Sequence, residues 1–386
     1  MTSPSRPSSW LVVAVLLTAL LPACTGEGTG DPTPVRIAFF QDLSVPEHVD
    51  LVSPSFLALD MVLTSRTEGS GVLVEVVQLD TAGDEVTAVD MADEVAADPS
   101  FVLAVVAPFW REPVAVARIL AEAGVPTVSL SPVSPSPWTW APSDRPPGDP
   151  GELWRRLVPD QEAQARLLAD IAARTSSGGE RESVCLVDDE SAYGTALLQA
   201  VDEHMQGWPS TMMPAADAPE AVASSGCRVV VWGGFPTGAA ELVRSLRDAG
   251  VAGGRPVDLA GDAMKTVIPP TSPTGDGIVV GSVSCPCVDV TLDLSLASRR
   301  FVNAYQSEHG LAPGVYAAEG WDAGRLAAEA ILEGATDRAD MRAAVAADPT
   351  FEGIAGRYAF DAAGELDRQV ARLFAASGTR WLPQPV

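Results

Sequence analysis

From residue 35 onward the chain alternates between short apolar runs and longer amphipathic stretches, and this alternation restricts the fold more than any other feature. Residues 35–40 form a short, largely apolar run fit for a buried parallel strand, and 72–79, 101–107 and 125–130 are read as further strands. Between them, 55–63, 84–97 and 113–123 have helical spacing, and Gly124 closes the last of these as a C-cap. The pattern resumes with helices at 161–175, 193–204 and 237–249 and strands at 183–187, 228–232, 257–260 and 278–283. Helices are expected at 297–309 and 317–333, with a hairpin formed across 351–360 and 373–375. The period predicts an α/β fold, in which two doubly wound halves carry parallel sheets with helices on both faces. Residues 131–151 break the pattern. They hold prolines at 132, 135, 137, 142, 146, 147 and 150, with Trp138 and Trp140 between them, and are expected to form one long loop.

Size and composition agree. The repeating part runs to about 350 residues, more than one core usually holds, so two lobes are expected. Hydrophobic residues make up 47% of the chain, which supports a packed core. A net charge of −26 opposes binding to nucleic acid or to anionic lipid through charge alone. Lys265 is the only lysine among 25 Lys and Arg residues, a bias that, with abundant Ala, Gly and Pro, suggests a GC-rich, actinobacteria-like genome.

The amino terminus indicates where the chain works. Residues 10–21 form an apolar run of the length of a signal-peptide core, too short to span a ~30 Å hydrocarbon layer as a helix. Leu21-Pro22-Ala23-Cys24 follows and resembles the lipobox of bacterial lipoproteins, with Pro22 an unusual occupant. That resemblance implies an acylated Cys24 as the mature first residue; an ordinary secretory signal is the alternative. Residues 25–34 are rich in Gly, Thr and Pro and suit a flexible tether, which favours the lipoprotein reading. The expected location is the outer face of the cytoplasmic membrane. Four cysteines remain, Cys185, Cys227, Cys285 and Cys287, and an even number outside the cytosol favours disulfides. Three pairings are possible. Cys185 with Cys227 is favoured because each lies in or just before an apolar strand, which leaves Cys285 and Cys287 to close on each other or stay reduced. His48, His204 and His309 show no ligand spacing, so no metal is expected.

Several segments together resemble a known family. Ser191-Ala192-Tyr193-Gly194 follows an acid-ended strand, and residues 229–234 lead into a helix and then Gly250-Val251. Residues 314–323 stand where the family has a Tyr-Asp-Ala helix, and residues 351–364 resemble its closing Gly-x-x-Gly, Phe-Asp-x-x-Gly hairpin. In order and spacing these resemble the type I periplasmic-binding-protein fold of the branched-chain amino-acid and amide receptors of ABC importers. The resemblance implies two Rossmann-like lobes, 35–155 plus 285–345 and 156–284 plus 346–386, joined by crossing strands around a ligand cleft. It also implies ligand contacts. Ser129, Ser131 and Ser134 match residues that hold a carboxylate, Tyr193 matches a tyrosine that packs on the ligand, and Asp262 matches an acid that meets an amino group. Asp262 as a plain turn residue is the alternative.

The departures are as informative. Phe109-Trp110-Arg111 replaces a serine pair; Arg111 is either a bidentate carboxylate partner or a solvated helix start. Gln41, Asp42 and Ser44 make the first loop more polar than the family's. Phe109, Trp110, Trp138, Trp140, Trp232 and Phe235 suggest an aromatic cleft and a ligand bulkier or more apolar than leucine, with Trp232 better read as core. Nucleophile-elbow, metalloprotease and phosphate-loop motifs are missing, and Asp188-Asp189 reads as a strand-end turn, so no enzyme and no cofactor are expected. The expected function is a solute-binding lipoprotein that delivers an amino-acid-like or amide-like ligand to an ABC permease. A tethered sensor or structural lipoprotein on the same fold is the alternative.

Overall fold

The computed structural model describes residues 34–385 apart from 45, 112–113, 134–135, 176–182, 206, 226, 252–256, 266–267, 272–276 and 348. The signal segment, Cys24, most of the expected tether and Ser134 lie outside the described residues. Residues 33–386 form one unit.

The first lobe opens with strand β1 (Val35–Gln41), helix α1 (Pro46–Thr67), β2 (Val74–Asp80), α2 (Glu85–Ala97), β3 (Phe101–Val106), α3 (Val114–Glu122) and β4 (Thr127–Ser129). The long proline loop follows, carrying one 3-10 turn at Pro137–Thr139 and a short helix α4 (Pro150–Leu153) before β5 (Trp154–Arg156). These strands form one sheet in the order β2-β1-β3-β4-β5, with every pairing parallel. Period-2 alternation buries both faces. Ala38, Phe40, Ala104 and Val106 face one core with residues of α2 and α3, whereas Ile37, Phe39, Leu103 and Val105 face another with residues of α1 and the later helices.

The second lobe runs α5 (Gln161–Thr175), β6 (Val184–Asp188), α6 (Ala192–His204), β7 (Ser210–Pro214), α7 (Ala218–Ser225), β8 (Val229–Gly233), α8 (Pro236–Asp248), β9 (Val257–Ala260) and β10 (Val280–Cys285). The chain then returns to the first lobe as α9 (Leu296–His309), α10 (Ala317–Leu332), α11 (Arg338–Ala347) and the hairpin β11 (Thr350–Glu352) and β12 (Arg357–Ala359). It ends in the second lobe with β13 (Arg372–Ser377) and β14 (Arg380–Gln384). The second sheet has the order β14-β13-β10-β9-β8-β6-β7, parallel from β10 to β7 and antiparallel at β13 and β14.

The hairpin at 350–359 falls in the stretch expected in the second lobe, yet Ala355 and Tyr358 pack into the core of the first. The cause is Asp322 on α10, whose carboxylate accepts from Ile354 N at 2.8 Å, Ala355 N at 2.9 Å and the Tyr358 hydroxyl at 2.9 Å. Helices α1 and α10 cross closely because Gly320 faces the backbone of Ser55, where any side chain would collide. Cys185 is bonded to Cys227, which fastens β6 to the approach of β8, and Cys285 is bonded to Cys287 where β10 leaves the second sheet. Among the described residues no helix is long and apolar enough to cross a membrane.

Candidate functional site

In each sheet the strand order reverses once. In the first, β1 has β2 on one side and β3 on the other; in the second, β6 lies between β7 and β8. Crevices beyond the carboxyl ends of strands at such switch points are where open α/β sheets take ligands. Here the loops after β1, β2 and β3 and those after β6 and β8 line one cavity of about 720 Å³. The first lobe contributes Asp42 and His48 after β1, Thr81, Gly83, Asp84 and Glu85 after β2, and Phe109, Trp110 and Arg111 after β3. Trp140 and Asp144 come from the proline loop, and Ser191, Ala192, Tyr193 and Phe235 from the second lobe.

Local bonding explains why these side chains stand where they do. Thr81 donates to the Gln41 carbonyl through both its N–H and its hydroxyl, which ties the β2 loop to β1. The indole Nε1 of Trp110 then donates to the Thr81 hydroxyl at 2.9 Å, while its ring stacks on Phe40 with centroids 5.4 Å apart. Asp84 caps α2, accepting from Thr87 N at 2.8 Å. Opposite, Ser191 caps α6, accepting from Gly194 N at 3.0 Å. Asp189 accepts from Ser191 N and from Phe235 N, each at 3.0 Å, and so locks the β6 and β8 loops together and sets Phe235. Asp188 accepts from Glu190 N and the Thr195 hydroxyl, both at 2.8 Å. Both acids of this pair are therefore engaged in turns and caps.

An aromatic knot closes the inner end of the cavity. Phe109 has φ +63°, a conformation that a bulky side chain rarely adopts, and Tyr316 at the start of α10 has φ +61°. The Phe109 ring meets the edges or faces of Tyr193 at 5.5 Å, Tyr316 at 5.8 Å and Phe235 at 6.3 Å. Phe109 and Tyr316 thereby join the core of the second lobe. Beneath the knot Asp262 is wholly enclosed. It accepts from Tyr193 OH at 2.8 Å, Gln164 Nε2 at 2.7 Å and Tyr316 OH. Burial raises its carboxyl above the ordinary value, opposed by the hydrogen bonds from Tyr316, Gln164 and Tyr193; burial and then the Asp262 charge push both phenols well up.

Of the residues expected at the site, Phe109, Trp110, Arg111 and Tyr193 line the cavity, whereas Gln41, Ser129, Ser131 and Asp262 do not. The Gln41 side chain bonds Gln78 on β2 at 3.0 Å. Ser129 and Ser131 are buried: the Ser129 hydroxyl accepts from Ser131 N, the Ser131 hydroxyl accepts from Val133 N, and the Ser131 carbonyl accepts from Arg156. These groups are consumed by their own turn. Asp42 and His48 are among the wall residues that sequence reasoning assigned no ligand role. Burial tends to raise the Asp42 carboxyl, but the neighbouring His48 ring and then Ser44 prevail and hold it at about 2. Its Oδ1 accepts from Ser44 N at 2.8 Å, and its Oδ2 lies 3.5 Å from His48 Nδ1. The His48 ring in turn packs on Phe235 at 4.9 Å, which bridges the lobes. A polar residue two places past a strand end was the available signal for Asp42; nothing in the sequence distinguishes His48. Among the described residues no group of His, Cys, Asp or Glu is arranged to hold a metal ion.

The family model described as periplasmic binding protein matches residues 34–376. No curated protein matches the sequence. Among solved structures, an ABC transporter substrate-binding protein from Desulfitobacterium hafniense in complex with Leu is similar over 91% of this chain and 100% of its own, at 18% identity and TM-score 0.68. A solute-binding protein from R. palustris in complex with benzoate is similar over 91% and 95%, at 17% identity and TM-score 0.69. A leucine-binding protein from Thermotoga maritima is similar over 91% and 98%, at 18% identity and TM-score 0.67. These likenesses establish the two-lobed type I fold, and with the match over 34–376 the chain belongs to the periplasmic binding protein family.

Proposed function

We propose that the chain is the extracytoplasmic ligand-capturing component of an ABC importer, anchored through an acylated Cys24 and holding a small molecule between its lobes. The observation that carries this reading is the cavity of about 720 Å³ at the switch points of both sheets. Its size suits a metabolite. A ligand there touches Trp110 and Arg111 on one side and Tyr193 and Phe235 on the other, so it stabilises the closed form and shifts the population toward it. A permease would read the closed surface. Solved relatives carry leucine, isoleucine or benzoate, which supports a small organic ligand in this chain.

The direct test is to unfold the purified chain and identify any released small molecule by mass spectrometry, then add it back in a thermal-shift assay. At 100 times its dissociation constant the ligand adds ~2.7 kcal/mol of stability. A purified chain that releases nothing, and that no candidate metabolite stabilises, contradicts the proposal. A sensor or structural role on the same fold is favoured by one observation: Phe109, Tyr193, Tyr316 and Asp262 fill the inner cleft with the protein's own side chains. A permease gene beside this one supports import, and a neighbouring kinase or regulator gene supports sensing.

A further inference from the structure

Resting on the cleft reading above, we infer that the cavity takes an organic cation with an apolar or aromatic body rather than an anion or an amino acid. The geometry has two parts. Along the base run the rings of Phe109, Trp110, Tyr193 and Phe235, which offer faces and edges to an apolar body or an ammonium group. At one end stands Asp42. Its Oδ1 accepts from Ser44 N, while Oδ2 stands 3.5 Å from His48 Nδ1, an ion pair when that ring is protonated and longer than a hydrogen bond when it is not. Neither ring nitrogen of His48 has a hydrogen-bond partner. Gly83, which also lines the cavity, leaves Oδ2 uncovered, since a Cβ built there would sit 3.2 Å from that oxygen.

The charges around the rest of the wall point the same way. Glu85, Asp84 and Asp144 face the cavity with Asp42, against Arg111 as the one guanidinium in the wall. Asp84 spends an oxygen on capping α2, and Glu85 is exposed at the start of that helix. An anionic ligand would find one guanidinium, and the His48 ring already paired with Asp42, among these carboxylates. An ammonium or guanidinium group finds a half-buried carboxylate with acceptor capacity left, flanked by aromatic rings. The acids and hydroxyls that could have suited an amino-acid head group, Asp262, Ser129 and Ser131, are sealed off from the cavity.

The test is isothermal titration of the full chain, in detergent and freed of bound ligand, with benzyltrimethylammonium, phenethylammonium, leucine and benzoate. At least one of the two cations is expected to bind, and leucine and benzoate to bind at least tenfold more weakly. Asp42→Asn, which keeps the oxygen that Ser44 needs, is expected to weaken cation binding at least tenfold with an unchanged circular dichroism spectrum. Tighter binding of leucine or benzoate, silence from both cations, or cation affinity indifferent to Asp42→Asn each overturns the cation assignment. The cleft reading fails separately. A neutral or anionic ligand weakened by Phe235→Ala keeps the cleft and removes the cation; a ligand indifferent to both Phe235→Ala and Asp42→Asn removes both.

Discussion

Glu319 and Asp322 lie one turn apart on α10, both buried, and burial pushes their carboxyls up to about 7 and about 6. Asp322 is bonded by two backbone N–H groups and Tyr358. Glu319 accepts from Val288 N at 2.7 Å through one oxygen, and its other oxygen has no partner. The folded state therefore favours the protonated acid. Its contribution is fully present below the ordinary value of 4.5 and is lost as pH rises through about 7, a difference of about 3 kcal/mol. Urea unfolding between pH 5 and 8 is expected to show stability falling with pH, and Glu319→Gln to flatten that fall; an unchanged slope contradicts the assignment. Trp110 belongs to this scale too. Its ring is both cavity wall and partner of Phe40, so Trp110→Ala is expected to weaken binding of the native ligand tenfold or more by titration calorimetry. Unchanged affinity would remove Trp110 from the site.

At the scale of elements, Arg338 at the start of α11 acts as a clasp. Its guanidinium donates to the carbonyls of Val95 and Asp98 at 2.7 Å, Phe101 at 2.9 Å, Ala96 at 3.1 Å and Ala123 at 3.2 Å. These carbonyls stand at the ends of α2 and α3 and the start of β3, where a planar fork reaches all of them and an ammonium does not. Arg338→Lys is expected to lower stability by about 1.5–3 kcal/mol in urea unfolding, and a change within experimental error contradicts the clasp. Gly320→Ala gives a sharper contrast. In an open helix that exchange helps by about 1 kcal/mol. Here the added methyl meets the Ser55 backbone, which cannot yield, so a loss of about 1–3 kcal/mol is expected instead. Helix α5 and strand β9 were legible from sequence to the residue, because apolar period and flanking turns agree there. Strand β7, helices α7 and α11 and strands β5 and β14 were not. β7 and β14 end in or contain proline, α7 carries Pro219, and β5 is three residues long with two arginines, so tertiary pairing rather than local pattern decides each of them. Helix α1 runs through Pro54, where a proline alone argues for a break, because its packing along α10 holds it in place.

For the whole molecule, chain order was informative and site chemistry less so. Alternation and spacing sufficed for two doubly wound sheets, since burying both faces of a parallel sheet leaves few other arrangements. The strand ends also led to the right loops for Phe109, Trp110, Arg111 and Tyr193. What spacing could not convey was direction. Ser129, Ser131 and Asp262 sit at strand ends yet turn inward, because the serine hydroxyls bond N–H groups of their own turn and Gln164, Tyr193 and Tyr316 arrive from distant segments to satisfy Asp262. The two lobes meet through Phe109, Tyr193, Phe235 and His48, so closure and ligand capture are one equilibrium in this account. Spin labels placed by Val86→Cys on α2 and Glu241→Cys on α8, both exposed, report the separation of the lobes. With the co-purified molecule added, the interlabel distance should shorten and narrow, and return when that molecule is removed; a distribution identical with and without it contradicts the account.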